Sequence, residues 1–392
     1  MSFPISINAL SIIIFILVLF YLVYKHRKKI EFQKIGSIPI IAIMKTKLGI
    51  NFINKLAKQK KFFRTLGYIG MIIGFLGMIA MFILISSSFV KLFTVPDAPS
   101  TVSPVIPGVR IPGSQIFVPF WYGIISLFIV IVVHEFGHGI IAKVHNLKIK
   151  NTGLVLFLIL PGAFVEPDEE KLIEAKAKIQ HSVYAAGPWF NVLLSLVAAL
   201  ILLFAISPAY DALANNQGIT FTEVANNSPA MQVNLPVNLT YNKINEENIS
   251  SIIDLEITLA DKNPGDQMIF YTENNESYSL TLTNHPEDNS SPYIGILNIE
   301  NVREKESFGK EILFNITDIL ASLFFWIYVL SLGIGAANLL PVGPLDGGRM
   351  LFTFLKSKFK EKTAKTISTN ITILTVLFLL AALIIPIVRA LI

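Results

Sequence analysis

The sequence contains no cysteine among its 392 residues. Disulfide bonds, thiolate metal ligands and a thiol nucleophile are therefore excluded, and His, Asp and Glu remain as the side chains that could bind a metal. Charged residues are also scarce, at 15% of the chain against 53% hydrophobic residues, and the mean hydropathy is +0.61. This balance is too apolar for a soluble protein of this length, so it predicts an integral membrane protein.

Six apolar runs are long enough to cross a bilayer. They lie at residues 5–24, 67–90, 120–144, 183–206, 316–339 and 367–388. No basic residue precedes the first run and no small-residue cleavage site follows it, so we expect a retained span and not a removed signal peptide. A stretch rich in proline, 91–115, predicts an irregular loop after the second span.

The few charges are segregated along the chain, which predicts its orientation in the membrane. Lys and Arg are frequent from Lys25 to Arg64, where Glu31 is the single acidic residue, and again from Lys356 to Lys365. Such basic segments remain in the cytoplasm, so both termini are expected outside. Because the first basic segment adjoins two spans, we interpret it as a surface against the lipid bilayer and not as a nucleic-acid site.

The composition divides the chain into four segments. Residues 1–66 hold the first span and the basic cytoplasmic segment, 67–206 the first part of a transmembrane core, 207–310 an acidic, soluble-type domain, and 311–392 the rest of the core. The orientation above places 207–310 outside the cytoplasm. Alternating apolar residues predict strands at 218–224, 267–271 and 278–282, and the pattern at 250–260 predicts a helix.

His134, Glu135 and His138 form the sequence H-E-F-G-H within the third span. Positions i and i+4 share one face of a helix, so both imidazoles can bind one metal ion while Glu135 reaches the water that the metal activates. An ionisable side chain at membrane depth costs about 2.5–3.5 kcal/mol even on the scale derived from insertion experiments. The placement therefore favours an intramembrane metal site over a chance match. We expect this site toward the cytoplasmic side of the membrane.

Two histidines do not complete a catalytic zinc site, which normally has three protein ligands. Asp346 is the candidate third ligand, because it follows the fifth span in a Pro- and Gly-rich stretch that we expect not to be regular helix. A helix cap or an ion pair with Arg349 is the alternative for this carboxylate. Asn191 in the fourth span is a candidate oxyanion donor, with an interhelical hydrogen bond as its alternative, and Asn338 is a second candidate.

The donor set leaves more than one chemistry open. Bound zinc lowers the pKa of its water to about 7, and Glu135 can accept the proton and pass it to a leaving amine, so amide hydrolysis is the natural reaction. Two histidines and a carboxylate also suit Fe(II), and a membrane metal-ion transporter could line its path with them. The glutamate between the histidines and the absence of a cofactor motif favour hydrolysis.

An apolar run at 154–160 is too short to cross the bilayer. It is followed by Pro161 and Gly162 and by an acidic cluster at 166–170. This pattern predicts a re-entrant strand or hairpin, whose backbone lipid does not tolerate unless protein covers it or water reaches it. We therefore expect this segment beside the metal-binding helix.

Four motifs together resemble the site-2 protease family of intramembrane zinc metalloproteases. They are H-E-F-G-H at 134–138, L-P-G-A-F-V-E-P at 160–167, A-G-P-W-F-N at 186–191 and N-L-L-P-V-G-P-L-D-G-G at 338–348. The resemblance implies a polytopic α-helical membrane protein with six spans and one catalytic Zn²⁺. It implies that His134, His138 and Asp346 hold the zinc, that Glu135 is the general base, and that Asn191 helps to stabilise the intermediate.

The resemblance also implies the substrate. It would be the transmembrane helix of a single-pass protein, often one trimmed beforehand by an upstream protease, or a remnant signal peptide. The helix must unwind locally, and the segment 154–165 would be the edge strand that binds it by strand addition. The segment 207–310 resembles an inserted α+β PDZ-like domain, which would bind peptide ends or exclude bulky ectodomains.

Overall fold

The computed structural model describes residues 7–35, 38–94, 102, 104–112, 116–285, 288–304 and 307–391. The helices of these ranges are α1 (Ile7–His26), α2 (Ile50–Leu56), α3 (Lys60–Thr94), α4 (Phe120–Val144), α5 (Glu169–Glu174), α6 (Ala177–Tyr184), α7 (Ala186–Ile201), α8 (Ser207–Ala214), α9 (Pro229–Gln232), α10 (Ile252–Ala260), α11 (Phe308–Asn338), α12 (Asp346–Lys358) and α13 (Glu361–Leu391). The strands are β1 (Ile30–Ile35), β2 (Ile38–Thr46), β3 (Ile149–Phe157), β4 (Leu160–Pro167), β5 (Asn216–Val224), β6 (Tyr241–Ile244), β7 (Glu247–Asn248), β8 (Gln267–Thr272), β9 (Ser277–Thr281), β10 (Thr283–His285), β11 (Asp288–Tyr293) and β12 (Ile296–Arg303). The chain forms two compact units, one of Met1–Leu203 with Ala321–Ile392 and one of Phe204–Leu320.

Six helical segments of the described ranges are long and apolar enough to cross a membrane. They are Leu10–Lys29, Lys60–Thr94, Phe120–Val144, Ala177–Ala214, Phe308–Asn338 and Glu361–Arg389. The predicted number of spans and the polytopic helical class are therefore confirmed. The second span is longer than predicted, since α3 continues to Thr94, into the stretch expected to be an irregular loop.

Helix α4 lies at the centre of the first unit, where it packs against α3, α6, α7 and β4. Its last turns are fully enclosed, with Ile141, Ala142 and Val144 at 0% exposure. Small residues allow the neighbouring helices to approach closely, as in many membrane proteins. On α3, a Cβ at Gly70 would collide with Trp189, and a Cβ at Gly74 would lie 3.0 Å from the Cβ of Ala185.

A four-stranded antiparallel sheet, in the order β1-β2-β3-β4, accompanies this core. The sequence analysis predicted no strand for β1 and β2, which come from the basic segment. The predicted hairpin is β3 and β4, joined by a two-residue turn in which Leu158 has φ 54°. The expectation that all of 154–165 is an edge strand is wrong, because β2 pairs with β3, Met44 opposite Leu154. Within the described residues, β4 is the end strand on this side of the sheet.

Polar contacts hold the open end of the hairpin. The Lys150 ammonium lies 3.2 Å from the Asp168 carboxylate, and the Asn151 amide donates to Glu166 at 2.9 Å. Burial raises the pKa of Asp168, but the hydrogen bond and the charge of Lys150 outweigh burial and leave this pKa below its usual value. The strands are thereby held together near Val165, which contacts Glu135 and Gly139 of α4.

The second unit contains a sheet in the order β12-β5-β6-β8-β9, with β7 paired to β6. Its core is mainly aliphatic and contains one stacked aromatic pair, Phe221 and Tyr241, whose ring centroids lie 5.1 Å apart. A capping box between Ser251 and Asp254 begins α10. The strands expected at 218–224, 267–271 and 278–282 correspond to β5, β8 and β9, and the expected helix corresponds to α10. The PDZ-like assignment of this segment stays a prediction.

Candidate metal centre

The two histidines of the H-E-F-G-H sequence lie one turn apart on α4, and Asp346 faces them from the start of α12. The Nε2 atoms of His134 and His138 are 3.2 Å apart. Asp346 Oδ2 lies 3.2 Å from His134 Nε2 and 3.4 Å from His138 Nε2. The structure therefore brings together the three side chains that the sequence predicted as ligands.

Asp346 is positioned by a tight turn that precedes its helix. The expectation that its stretch is not regular helix is wrong for Asp346 itself, which is the first residue of α12. A Cβ at Gly347 would collide with the carbonyl of Leu339, and one at Gly348 with that of Val342. Two glycines are thus needed for the chain to fold back so closely that the carboxylate reaches α4.

These residues fit a tetrahedral zinc ion. Ligand bonds of about 2.0–2.1 Å in tetrahedral geometry separate the ligand atoms by about 3.3 Å, close to the separations found here. The site is enclosed, with His134 7% and Asp346 9% exposed. Gly187 of α7 leaves space beside the ligands, because a Cβ there would meet Nε2 of both histidines.

The opposite edges of the two imidazoles contact hydrogen-bonding groups. His138 Nδ1 lies 2.8 Å from the carbonyl oxygen of Val183, to which an Nδ1–H donates. This hydrogen bond keeps the ring proton on Nδ1 and leaves Nε2 free to bind a metal. His134 Nδ1 lies 3.1 Å from the side-chain amide of Asn191.

Glu135 lies in the same cavity as the three predicted ligands, which has a volume of about 330 Å³. Its Oε2 accepts a hydrogen bond of 3.0 Å from the backbone N–H of Val165 on β4. The carboxylate is therefore held between the metal-binding helix and the end strand of the sheet. The sequence predicted the hairpin beside α4 but gave no sign of this contact, since a backbone donor has no side-chain signature.

The candidate oxyanion donors occupy different positions. Asn338 lines the cavity, and its amide donates to the carbonyl of Ile334 at 3.0 Å. Asn191 is fully buried and is not among the described residues that line the cavity. The oxyanion role of Asn191 stays a prediction from the resemblance.

Arg349 is a cavity residue that the sequence analysis considered only as a partner of Asp346. The structure places it in the lining, where it is the one basic residue other than the histidines among the described residues. Its ion pair is with Glu169, at 3.8 Å. The position three residues after Asp346, on the same face of α12, is the sequence signal that could have indicated it.

Membrane-type helices that carry two histidines, a carboxylate and a neighbouring glutamate in one cavity define a membrane-embedded metallohydrolase. The profile of Peptidase family M50 matches residues 122–381, so the chain belongs to this family, the site-2 protease family. A similar protein is an uncharacterized protein of Methanocaldococcus jannaschii, 29% identical over 361 residues, or 91% of this chain and 88% of the relative. Family membership implies intramembrane metalloprotease activity.

Proposed function

We propose that the protein is a zinc-dependent intramembrane protease that hydrolyses a peptide bond within the transmembrane helix of membrane-anchored proteins. Such cleavage would serve regulated intramembrane proteolysis or the removal of signal-peptide remnants. The observation that carries the proposal is the joint presence of His134, His138 and Asp346 with Glu135 in one cavity. His134, His138 and Asp346 would hold the zinc, which would supply an activated water and a Lewis acid for the carbonyl under attack.

The side chains of the cavity have separate tasks in this reaction. Glu135 takes a proton from the attacking water and delivers it to the leaving amine nitrogen. The Val165 N–H fixes the orientation of that carboxylate. Asn338 and Arg349 supply N–H groups within the cavity for the carbonyl oxygen as its negative charge develops.

The end strand β4 offers a binding edge for an unwound substrate. Phe157 and Leu160 flank the two-residue turn and form a hydrogen-bonded pair. Hydrogen-bonded and non-hydrogen-bonded pairs alternate along an antiparallel ladder. The N–H groups of Ala163 and Val165 therefore point away from β3. The hydrogen bond from Val165 to Glu135 agrees with this alternation. Pro161 occupies an equivalent position, where an N–H would also point away from β3. Its missing N–H therefore costs no hydrogen bond between β3 and β4. A strand added at this edge would therefore lie beside the general base.

Ala163→Pro is expected to weaken substrate binding. The change removes an N–H that points away from β3 and leaves the hydrogen bonds between β3 and β4 intact. Because one hydrogen bond contributes about 1 kcal/mol, KM for a transmembrane peptide should rise about fivefold while kcat changes little. Steady-state kinetics on purified protein would measure both constants. Ala163→Ser keeps the N–H and should retain the KM of the wild type. An unchanged KM in the proline variant would show that the substrate does not pair with this edge.

Metal removal tests the function itself. The purified protein should cleave members of a panel of transmembrane peptides, lose this activity in a zinc chelator, and regain it when zinc is restored. Mass spectrometry would locate the cleaved bond. A protein that cleaves no peptide but conducts zinc ions into liposomes would instead be the metal-ion transporter that the same ligands could serve.

The charge distribution supports the remaining proposals. Basic residues from Lys25 to Arg64 and from Lys356 to Lys365 favour the cytoplasm. Both termini and the segment 207–310 would then be extracytoplasmic, with the metal centre toward the cytoplasmic side. In this arrangement the PDZ-like segment binds peptide ends or excludes large ectodomains, and an upstream protease trims the substrate first.

A further inference from the structure

The protonated nitrogen of each imidazole decides whether it can bind the metal. Both histidines present Nε2 toward Asp346. A neutral imidazole that binds through Nε2 carries its proton on Nδ1, and this N–H needs an acceptor. His138 has such an acceptor in the carbonyl of Val183. For His134, the neighbour of Nδ1 is the side chain of Asn191.

The Asn191 amide can supply this acceptor only through its oxygen. Its Nδ2 stands 3.1 Å from His134 Nδ1, and a donor there would place the ring proton on Nε2, where the metal has to bind. Among the described residues, Asn191 Oδ1 has no hydrogen-bond partner. Rotating the side-chain amide by half a turn, which exchanges Nδ2 and Oδ1, therefore breaks no hydrogen bond to Oδ1. The rotation brings Oδ1 to the Nδ1–H of His134.

The surroundings hold Asn191 in this place and keep it away from the substrate. Ser331 of α11 donates to the backbone carbonyl of Asn191 at 2.8 Å, and a Cβ at Gly335 would lie 3.1 Å from the Cβ of Asn191. The residue is 0% exposed and lies behind the His134 ring, outside the cavity lining. Its side chain thus reaches the reaction only through that ring.

We propose that Asn191 is a positioning residue, whose Oδ1 accepts the Nδ1–H of His134 and so keeps Nε2 available to the metal. This inference rests on the proposed function only in requiring a bound metal. A partner of this kind typically changes metal affinity by about 10- to 100-fold. The role differs from oxyanion stabilisation, since it needs an acceptor, whereas an oxyanion needs a donor.

The test compares zinc affinities of full-length purified variants, measured by competition with a chromogenic chelator. Asn191→Leu lacks an acceptor and should bind zinc about 10- to 100-fold more weakly than the wild type. Asn191→Asp keeps an acceptor and loses the donor, so it should retain zinc affinity and peptide cleavage. Gly333→Ala on α11, where a Cβ meets no described atom within 4 Å, leaves Asn191 and its contacts unchanged and should bind zinc like the wild type.

Two results would overturn the inference. One is an Asn191→Leu variant with unchanged zinc affinity. The other is an Asn191→Asp variant that holds zinc but loses cleavage by about 10²- to 10³-fold, which is the loss expected for an oxyanion donor. If Asn191→Leu fails to fold, as judged by size-exclusion chromatography, the Asn191→Asp result still decides. A wild type that binds zinc and cleaves no peptide would defeat the proposed function and leave the affinity comparison valid.

Discussion

Glu135→Gln should reduce peptide cleavage by about 10²- to 10⁴-fold, the contribution of a positioned general base, while zinc content stays that of the wild type. Glutamine has nearly the same shape, and its amide oxygen can still accept the N–H of Val165, which now bonds Glu135 at 3.0 Å. The change therefore removes the proton acceptor and preserves the packing between α4 and β4. Single-turnover cleavage of a transmembrane peptide, together with elemental analysis, would measure both quantities.

A matched control exists in the same cavity. Glu166 also lines it, but its carboxylate accepts from the Asn151 amide at 2.9 Å. Glu166→Gln makes the same chemical change away from the proposed proton path, so most of the activity should remain. Full activity of Glu135→Gln, or an equal loss in both variants, would remove the general-base assignment.

Gly187→Ala should weaken zinc binding and cleavage strongly without altering any of the three predicted ligands. The added methyl group would occupy the space beside Nε2 of both histidines. Overpacking of this kind costs about 1–3 kcal/mol, which corresponds to an affinity loss of about 5- to 150-fold. Zinc affinity and peptide cleavage should fall together, toward the values of Asp346→Ala, in which a ligand is missing.

Gly333→Ala is the control for a glycine-to-alanine change in a membrane-type helix. A Cβ at Gly333 of α11 meets no described atom within 4 Å, so this variant should keep zinc and activity. Thermal unfolding of both variants would separate loss of the site from loss of the fold. A Gly187→Ala protein with normal zinc affinity would show that the metal does not occupy the space between the three predicted ligands.

The membrane helices could be predicted from the sequence because an apolar run of sufficient length is a local property. The sheet was predicted only in part. Ile41 and Ile43 of β2 pair with Phe157 and Val155 of β3, but basic residues surround β2 in the sequence, and charge suggested a surface segment. Pairing with a partner more than a hundred residues away leaves no local signal.

The three side chains proposed to bind the metal could also be predicted only in part. His134 and His138 lie at i and i+4 on one helix, so their common face follows from helix geometry alone. Asp346 was inferred from its place after the fifth span in a Pro- and Gly-rich stretch, and the closeness of its carboxylate depends on the contact of Gly347 with Leu339. The donor that holds Glu135 is a backbone amide of β4, which no residue type reveals.

Three features follow from the sequence alone: the membrane class, the six spans and the three side chains that meet in the cavity. They depend on apolar length, helical spacing and the cost of burying charge. The packing of the fold sets the rest: which atoms of those side chains converge, which strand lies at the edge of the sheet, and that Asn191 lies behind His134 and outside the cavity lining. These facts depend on how segments distant in the chain pack together, and packing at this precision is set by steric contacts between side chains and backbones that a one-dimensional pattern does not contain.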